Sequence, residues 1–126
     1  MITFSVKGLP IPQGSMKVIN GHMIHSQGSV LTGWRSQIGF AARAAGAKPH
    51  LEAVHIEMIF TMPRPKTVTR PEPSVAPDLD KLVRAVLDGL TAIAYRDDGQ
   101  VVRLTAAKQY GVNPGVWVQM WAKMPA

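Results

Sequence analysis

Proline sets the first limit on what this chain can fold into. Five of its ten prolines, Pro63, Pro65, Pro71, Pro73 and Pro77, fall in one short stretch, interleaved with Arg64, Lys66 and Arg70. Each proline fixes φ and removes a backbone donor, so no helix or ladder strand can run through the stretch. It is also too basic to pack, and residues 63–77 are expected to form a flexible, basic, proline-rich loop. Long structureless loops in small domains are often functional or disordered. Two readings stay open here: an arm that clasps a DNA strand, or a surface connection with no further role. Regular elements must lie on either side.

Before the loop, Ile2 to Leu9 alternates with Ile2, Phe4 and Val6 inward, which predicts a strand ended by Pro10 and Pro12. Pro12-Gln13-Gly14-Ser15 is a turn, with Lys17 just beyond. Val18 to Ile24 suggests a short hairpin about Asn20-Gly21, a strong two-residue turn signal. Thr32-Gly33-Trp34-Arg35 opens a helix that runs to about Ala45, with Trp34, Ile38, Ala41, Ala42 and Ala45 on one stripe. Leu51 to Met62 reads as the longest strand, with Val54, Ile56, Met58 and Phe60 on one face. After the loop, Leu79, Leu82, Val83, Val86, Leu87 and Leu90 recur at three and four residues and predict a helix from Lys81 to about Ala92. Two closing strands follow, Val101–Tyr110 and Gly115–Ala122. The second is largely apolar on both faces, with Trp117 and Trp121 together on one, which suggests cover on both sides, one of which could be a subunit interface. The expected fold is α+β: a single domain over residues 1–126, with a small mixed β-sheet packed against two main helices. At 126 residues the chain can bury one core but not two.

The charge balance narrows the partner. Fourteen Lys and Arg against eight Asp and Glu give a net charge of +6. A polyanion is the natural partner, nucleic acid ahead of a membrane surface, unless the basicity serves nothing specific. No apolar run reaches the ~18–20 residues of a membrane span, and Met1-Ile2-Thr3-Phe4 does not read as a signal peptide. The expected location is the cytoplasm. Cysteine is absent, and the histidines are scattered. His22 and His25 read as loop or surface residues, which argues against a zinc site.

Against this basic background, five of the eight acids crowd one region: Asp78, Asp80, Asp88, Asp97 and Asp98. Like charges so close repel unless a cation, a salt bridge or solvent relieves them. Asp78-Leu79-Asp80 is an i, i+2 pair after Pro77. In an extended segment both carboxylates face one way. Asp80 could instead serve only as the helix N-cap, and Asp97-Asp98-Gly99 as an ordinary turn. Taken together, the two acidic pairs form an all-oxygen donor set of the kind Mg²⁺ selects. Asp80, Arg84 and Asp88 are four residues apart and form a polar stripe. Arg84 can therefore pair with either acid or with a phosphate. Glu57 reads as an exposed strand carboxylate, and Tyr95 as a packed aromatic. Arg35 and Arg43 either contact DNA or are solvated.

The run PDLDKLVRAVLDGLTAIAYRDDGQV resembles the signature of the RusA family of Holliday-junction resolvases. The match is strongest over residues 77–102, with a weaker extension to the Pro-Gln-Gly-Ser loop and to Trp34-Arg35. The resemblance implies a small homodimeric, Mg²⁺-dependent endonuclease, with Mn²⁺ as a substitute, in a bacterial or phage-infected cell. Its partner would be branched DNA, a four-way junction resolved by paired symmetric nicks in recombination and repair. Carried over, the metal ligands would be Asp78, Asp80 and Asp98, with Asp97 beside them. The catalytic set would be Asp78, Asp80, Asp98 and Arg84. Arg84 stands where the family carries Lys; it keeps the charge but cannot give up a proton. Lys81 stands where some relatives carry Asn. Lys17, Arg64, Lys66, Arg70 and Lys81 are the candidate DNA contacts. The alternatives are a non-catalytic basic nucleic-acid-binding module, or a general nuclease for flaps and other branched DNA.

Overall fold

A computed structural model describes residues 1–14, 16–19, 22–25 and 28–122, the short strands at 16–19 and 22–25 by their backbone alone. The elements in chain order are β1 (Ile2–Lys7), β2 (Met16–Ile19), β3 (His22–His25), α1 (Gly28–Ala44), β4 (Val54–Met62), α2 (Leu79–Leu90), a 3₁₀ turn (Asp98–Gln100), β5 (Val101–Tyr110) and β6 (Gly115–Ala122).

Strict alternation places β4 at the centre. Val54, Ile56, Met58, Phe60 and Met62 are buried, while His55, Glu57, Ile59 and Thr61 between them are half-buried. The main sheet runs β1-β6-β4-β5. β6 is antiparallel to both β1 and β4, whereas β5 is parallel to β4. Parallel neighbours need a long crossover, and α2 supplies it. The buried face of the sheet forms one core with Leu31, Trp34, Ile38 and Ala42 of α1 and with Leu82, Ala85, Val86 and Leu90 of α2. Full burial of each large side chain here is worth roughly 1.5–3 kcal/mol. The two helices meet at glycines. A Cβ on Gly89 would lie 3.1 Å from both the Arg35 carbonyl and Ile38 Cβ, and one on Gly39 would lie 3.1 Å from the Gly89 carbonyl. This close approach fixes α2 against α1.

The α+β expectation holds, with several boundaries moved. α1 starts at Gly28, before the expected Thr32. Leu31 extends the buried stripe one turn ahead of Trp34. The glycines at 28 and 33 hide this start from a reading by propensity. α2 begins at Leu79, which makes Asp78 the N-cap and puts Asp80 in the first turn, correcting the assignment of the cap to Asp80. β2 and β3 pair with Ile19 opposite His22, as the hairpin reading requires. Asn20 and Gly21 themselves lie outside the described residues, as do the side chains of His22 and His25. Among the described residues no helix is long and apolar enough to cross a membrane.

The stretch 63–77 contains no helix or strand. It nonetheless has a folded path along the end of β5. Arg70 Nη1 donates to the Tyr110 hydroxyl at 2.8 Å, and Arg64 Nη2 donates to the Pro71 carbonyl at 3.3 Å. Pro73 is buried. Lys108 Nζ donates to the Val75 and Pro77 carbonyls.

Candidate active site

The first acidic pair stands where the loop becomes α2. Asp78 has extended geometry (φ −68°, ψ 140°), and its carbonyl accepts from the Lys81 and Leu82 amides, both at 3.1 Å. Its side chain makes no capping hydrogen bond. The carboxylate therefore stays available, in contact with solvent and with Lys81 Nζ at 3.6 Å. Asp80, two residues on, is exposed. Both negative charges lie at the positive end of the helix dipole, which favours them there. Beside them is an open hollow of about 390 Å³ lined by Leu9, Pro10, Pro12, Met62, Asp78 and Lys81. The Gln13 amide donates to the Lys81 carbonyl at 3.0 Å, so the Pro12-Gln13-Gly14 loop is tied to the first turns of α2.

The second acidic pair is built differently. Asp97 is a capping residue: its Oδ2 accepts from the Gly99 amide at 3.1 Å. A Cβ on Gly99 would lie 2.7 Å from Asp97 Oδ2, so any larger residue there would push the capping oxygen aside. Gln100 staples the turn. Its Oε1 accepts from the Arg96 and Asp97 amides, both at 2.9 Å, while its Nε2 donates to the His50 carbonyl at 2.8 Å and the Glu52 carbonyl at 2.9 Å. The Val101 amide donates to the Asp98 carbonyl, and the exposed Asp98 side chain makes no hydrogen bond or ion pair among the described residues. Under the turn, Tyr95 is fully buried and donates to the Leu87 carbonyl at 2.6 Å. Burial pushes the Tyr95 hydroxyl well above its ordinary range, so it stays protonated.

The two pairs do not meet within one chain. Val54 lies opposite Val101 at the acidic-turn end of the parallel pair, and Met62 opposite Tyr110 at the end where Lys108 reaches Pro77. The 12 residues of α2 separate them by about 18 Å. Among the described residues, no three His, Asp or Glu side chains converge on a position for one metal ion. The structure thus brings Asp78 and Asp80 together and leaves Asp97 and Asp98 apart. The donor chemistry still fits a hard cation: the free groups at both ends are carboxylate oxygens, as Mg²⁺ requires.

The basic candidates also separate. Lys81 is ion-paired with Asp78. Arg84 is exposed one turn beyond Asp80. Of the three partners open to Arg84 (Asp80, Asp88 or a phosphate), Asp88 is taken: it pairs with Arg35 Nη2 at 3.6 Å, because α1 crosses α2 at that level. Arg64 stacks over the Tyr110 ring, 4.8 Å from its centroid, and Arg70 bonds the same tyrosine's hydroxyl. Lys66 is exposed. The Lys17 side chain lies outside the described residues. Reading by sequence passed over Gln100, Tyr110 and Lys108. Lys108 lies opposite the fully buried Phe60, an inward position that only the register of β5 on β4 reveals.

The family model described as "Endodeoxyribonuclease RusA" matches residues 9–121. Among curated proteins, "Uncharacterized protein YqaN" of Bacillus subtilis (strain 168) is 28% identical over 135 residues, an alignment that covers 94% of this chain and 94% of that protein.

Proposed function

This chain belongs to the RusA endodeoxyribonuclease family, and from that premise we propose that it is a divalent-metal-dependent endonuclease that resolves four-way DNA junctions by paired nicks. The observation that carries the reading is the Asp78–Asp80 pair: two carboxylates free of capping duty, at a helix N-terminus, beside an open hollow and flanked by cations. The caps-and-turns reading has Asp80 cap the helix, but Asp80 stands inside the first turn, and Asp78, at the N-cap position, makes no side-chain capping bond. Mg²⁺ would be held by Asp78 and Asp80, with Asp98 completing the oxygen set. Bound there, the ion supplies Lewis-acid charge for phosphodiester hydrolysis. Lys81 and Arg84 stand one turn into α2 and offset the charge that develops on the phosphate. Arg84 acts as a fixed charge, since a guanidinium does not give up its proton.

Because Asp98 lies at the far end of α2, the complete oxygen set takes two copies of the chain. β5 is a ten-residue edge strand with Val102 59% and Leu104 43% exposed. A long edge strand presents unpaired backbone groups and is a template for strand pairing. Antiparallel pairing of two β5 edges about a two-fold axis would bring the Asp98 end of one copy to the Asp78 end of the other. The same axis would relate two active sites, as the symmetry of a four-way junction asks. The face carrying Trp117 and Trp121 is the rival interface.

Cleavage of a labelled four-way junction with Mg²⁺, beside linear duplex and flap substrates, tests the activity. Symmetric nicks confined to the junction, and lost in Asp80→Asn, are expected. Equal cutting of flaps would make the protein a general branched-DNA nuclease. Binding without cutting under any divalent metal would leave a non-catalytic binding module.

A further inference from the structure

We propose that Lys108 is a positioning residue for the Asp78 carboxylate, holding the backbone that presents it. Lys108 lies on β5 opposite Phe60, whose side chain is fully buried. Its position therefore faces the helix-covered side of the sheet, and the residue is itself half-buried. Bringing an ammonium into such a place costs desolvation energy unless its protons find acceptors. They do: Nζ donates to the Val75 carbonyl at 2.8 Å and to the Pro77 carbonyl at 2.9 Å. Hydrogen bonds from a charged donor are about twice as strong as neutral ones.

The choice of acceptors gives the contact its meaning. The Pro77 carbonyl belongs to the peptide plane that contains the Asp78 nitrogen. On the other side of the residue, the Asp78 carbonyl is held by the Lys81 and Leu82 amides. Asp78 is thus clamped through its backbone on both sides, from β5 and from α2, while its carboxylate stays free. The two arginines of the preceding loop cannot substitute, because they engage Pro71 and Tyr110. Without Lys108, the 63–77 loop would deliver Asp78 with only the helix side fixed. Outer groups that orient a metal ligand are commonly worth 10–100-fold in affinity or activity.

The catalytic consequence rests on the function proposed above, so the test includes measurements that need no substrate. Lys108→Met keeps the stem and removes the donors; Lys108→Arg keeps charge and donors. In the DNA-free protein, Lys108→Met is expected to speed amide hydrogen exchange at residues 78–82 selectively and to weaken Mn²⁺ binding about tenfold. With junction DNA, cleavage should fall about 10–100-fold and need more Mg²⁺, while junction affinity in EDTA is unchanged. Lys108→Arg should recover part of each loss. Wild-type exchange and Mn²⁺ affinity in Lys108→Met would overturn the proposal. So would a global loss of fold in both variants, which would make Lys108 a stability residue, or a wild type that binds no Mn²⁺. A wild type that binds Mn²⁺ but cuts no junction would sink the proposed function and leave the role of Lys108 to be decided by exchange and metal affinity.

Discussion

The two acidic pairs carry the same chemical groups, yet the fold treats them differently. At the start of α2 the helix cap is made by the Asp78 backbone, and the Asp78 carboxylate makes no capping bond, meeting only solvent and Lys81. At the entry to β5 the cap is made by the Asp97 side chain, and only Asp98 is left without a partner. Backbone anchoring also differs: a lysine ammonium holds the first site, a glutamine amide the second. An acidic side chain becomes a brace or stays available according to which local donor it faces. Asp97 faces the Gly99 amide, whereas Asp78 faces solvent and Lys81.

The largest effect should come from a free carboxylate. Asp80→Asn or Asp98→Asn is expected to cut junction cleavage by more than about 100-fold, since even outer partners of metal ligands reach that scale. Asp97→Asn, which keeps a capping oxygen, should cost far less; equal losses at Asp97 and Asp98 would erase the distinction drawn between them. Mixing separately inactive Asp80→Asn and Asp98→Asn proteins asks whether the two ends meet across a dimer. If each site draws on both copies, a mixed dimer regains one intact site and nicking returns. If every site lies within one chain, the mixture stays dead.

Smaller effects address the anchoring. Gln100→Ala removes the staple between the acidic turn and residues 50–52 and should lower stability by about 2 kcal/mol in a denaturant titration. Gly99→Ala places a Cβ against the Asp97 carboxylate and should cost roughly 1 kcal/mol, the usual value of a lost cap. Tyr95→Phe should cost about 1 kcal/mol through the lost bond to Leu87. Tyr95 also sets an alkaline limit. Its proton is held more tightly in the folded chain, so its contribution is complete below tyrosine's ordinary value of 10.0 and declines as pH rises beyond it. Thermal melts above that pH should show a steeper decline for wild type than for Tyr95→Phe.

Much of the fold was legible because it is periodic. β4, α2, β5 and β6 follow directly from alternation and from three-four spacing, and the prolines rule out regular structure at 63–77. The acidic motif and the basic balance were equally plain. The reading stumbled where a local rule had two solutions. Asp78 and Asp80 both suit an N-cap, and Leu79 entering the helix decides between them. Asp88 has Arg84 one turn away, yet pairs with Arg35 across the glycine contact of α1 and α2. Contacts of the candidate DNA-binding loop are likewise not legible in the sequence: its two arginines, Arg64 and Arg70, both engage Tyr110.

The sequence by itself determined what can be read within a window of a few turns: the kinds of element, the break between them, the family, and the four carboxylates suited to a hard cation. Only the tertiary structure decided which of those groups share a place. Closeness in sequence places Asp78 and Asp98 in one cluster. α2 runs its full length between them, antiparallel to β4 and β5, and sets them at opposite ends of the unit. Likewise, Lys108 is 30 residues from Asp78 in the chain, and only the parallel register of β5 on β4 brings its ammonium under the Pro77 carbonyl. Periodicity is a local property of the backbone, whereas such contacts depend on element length, direction and register together.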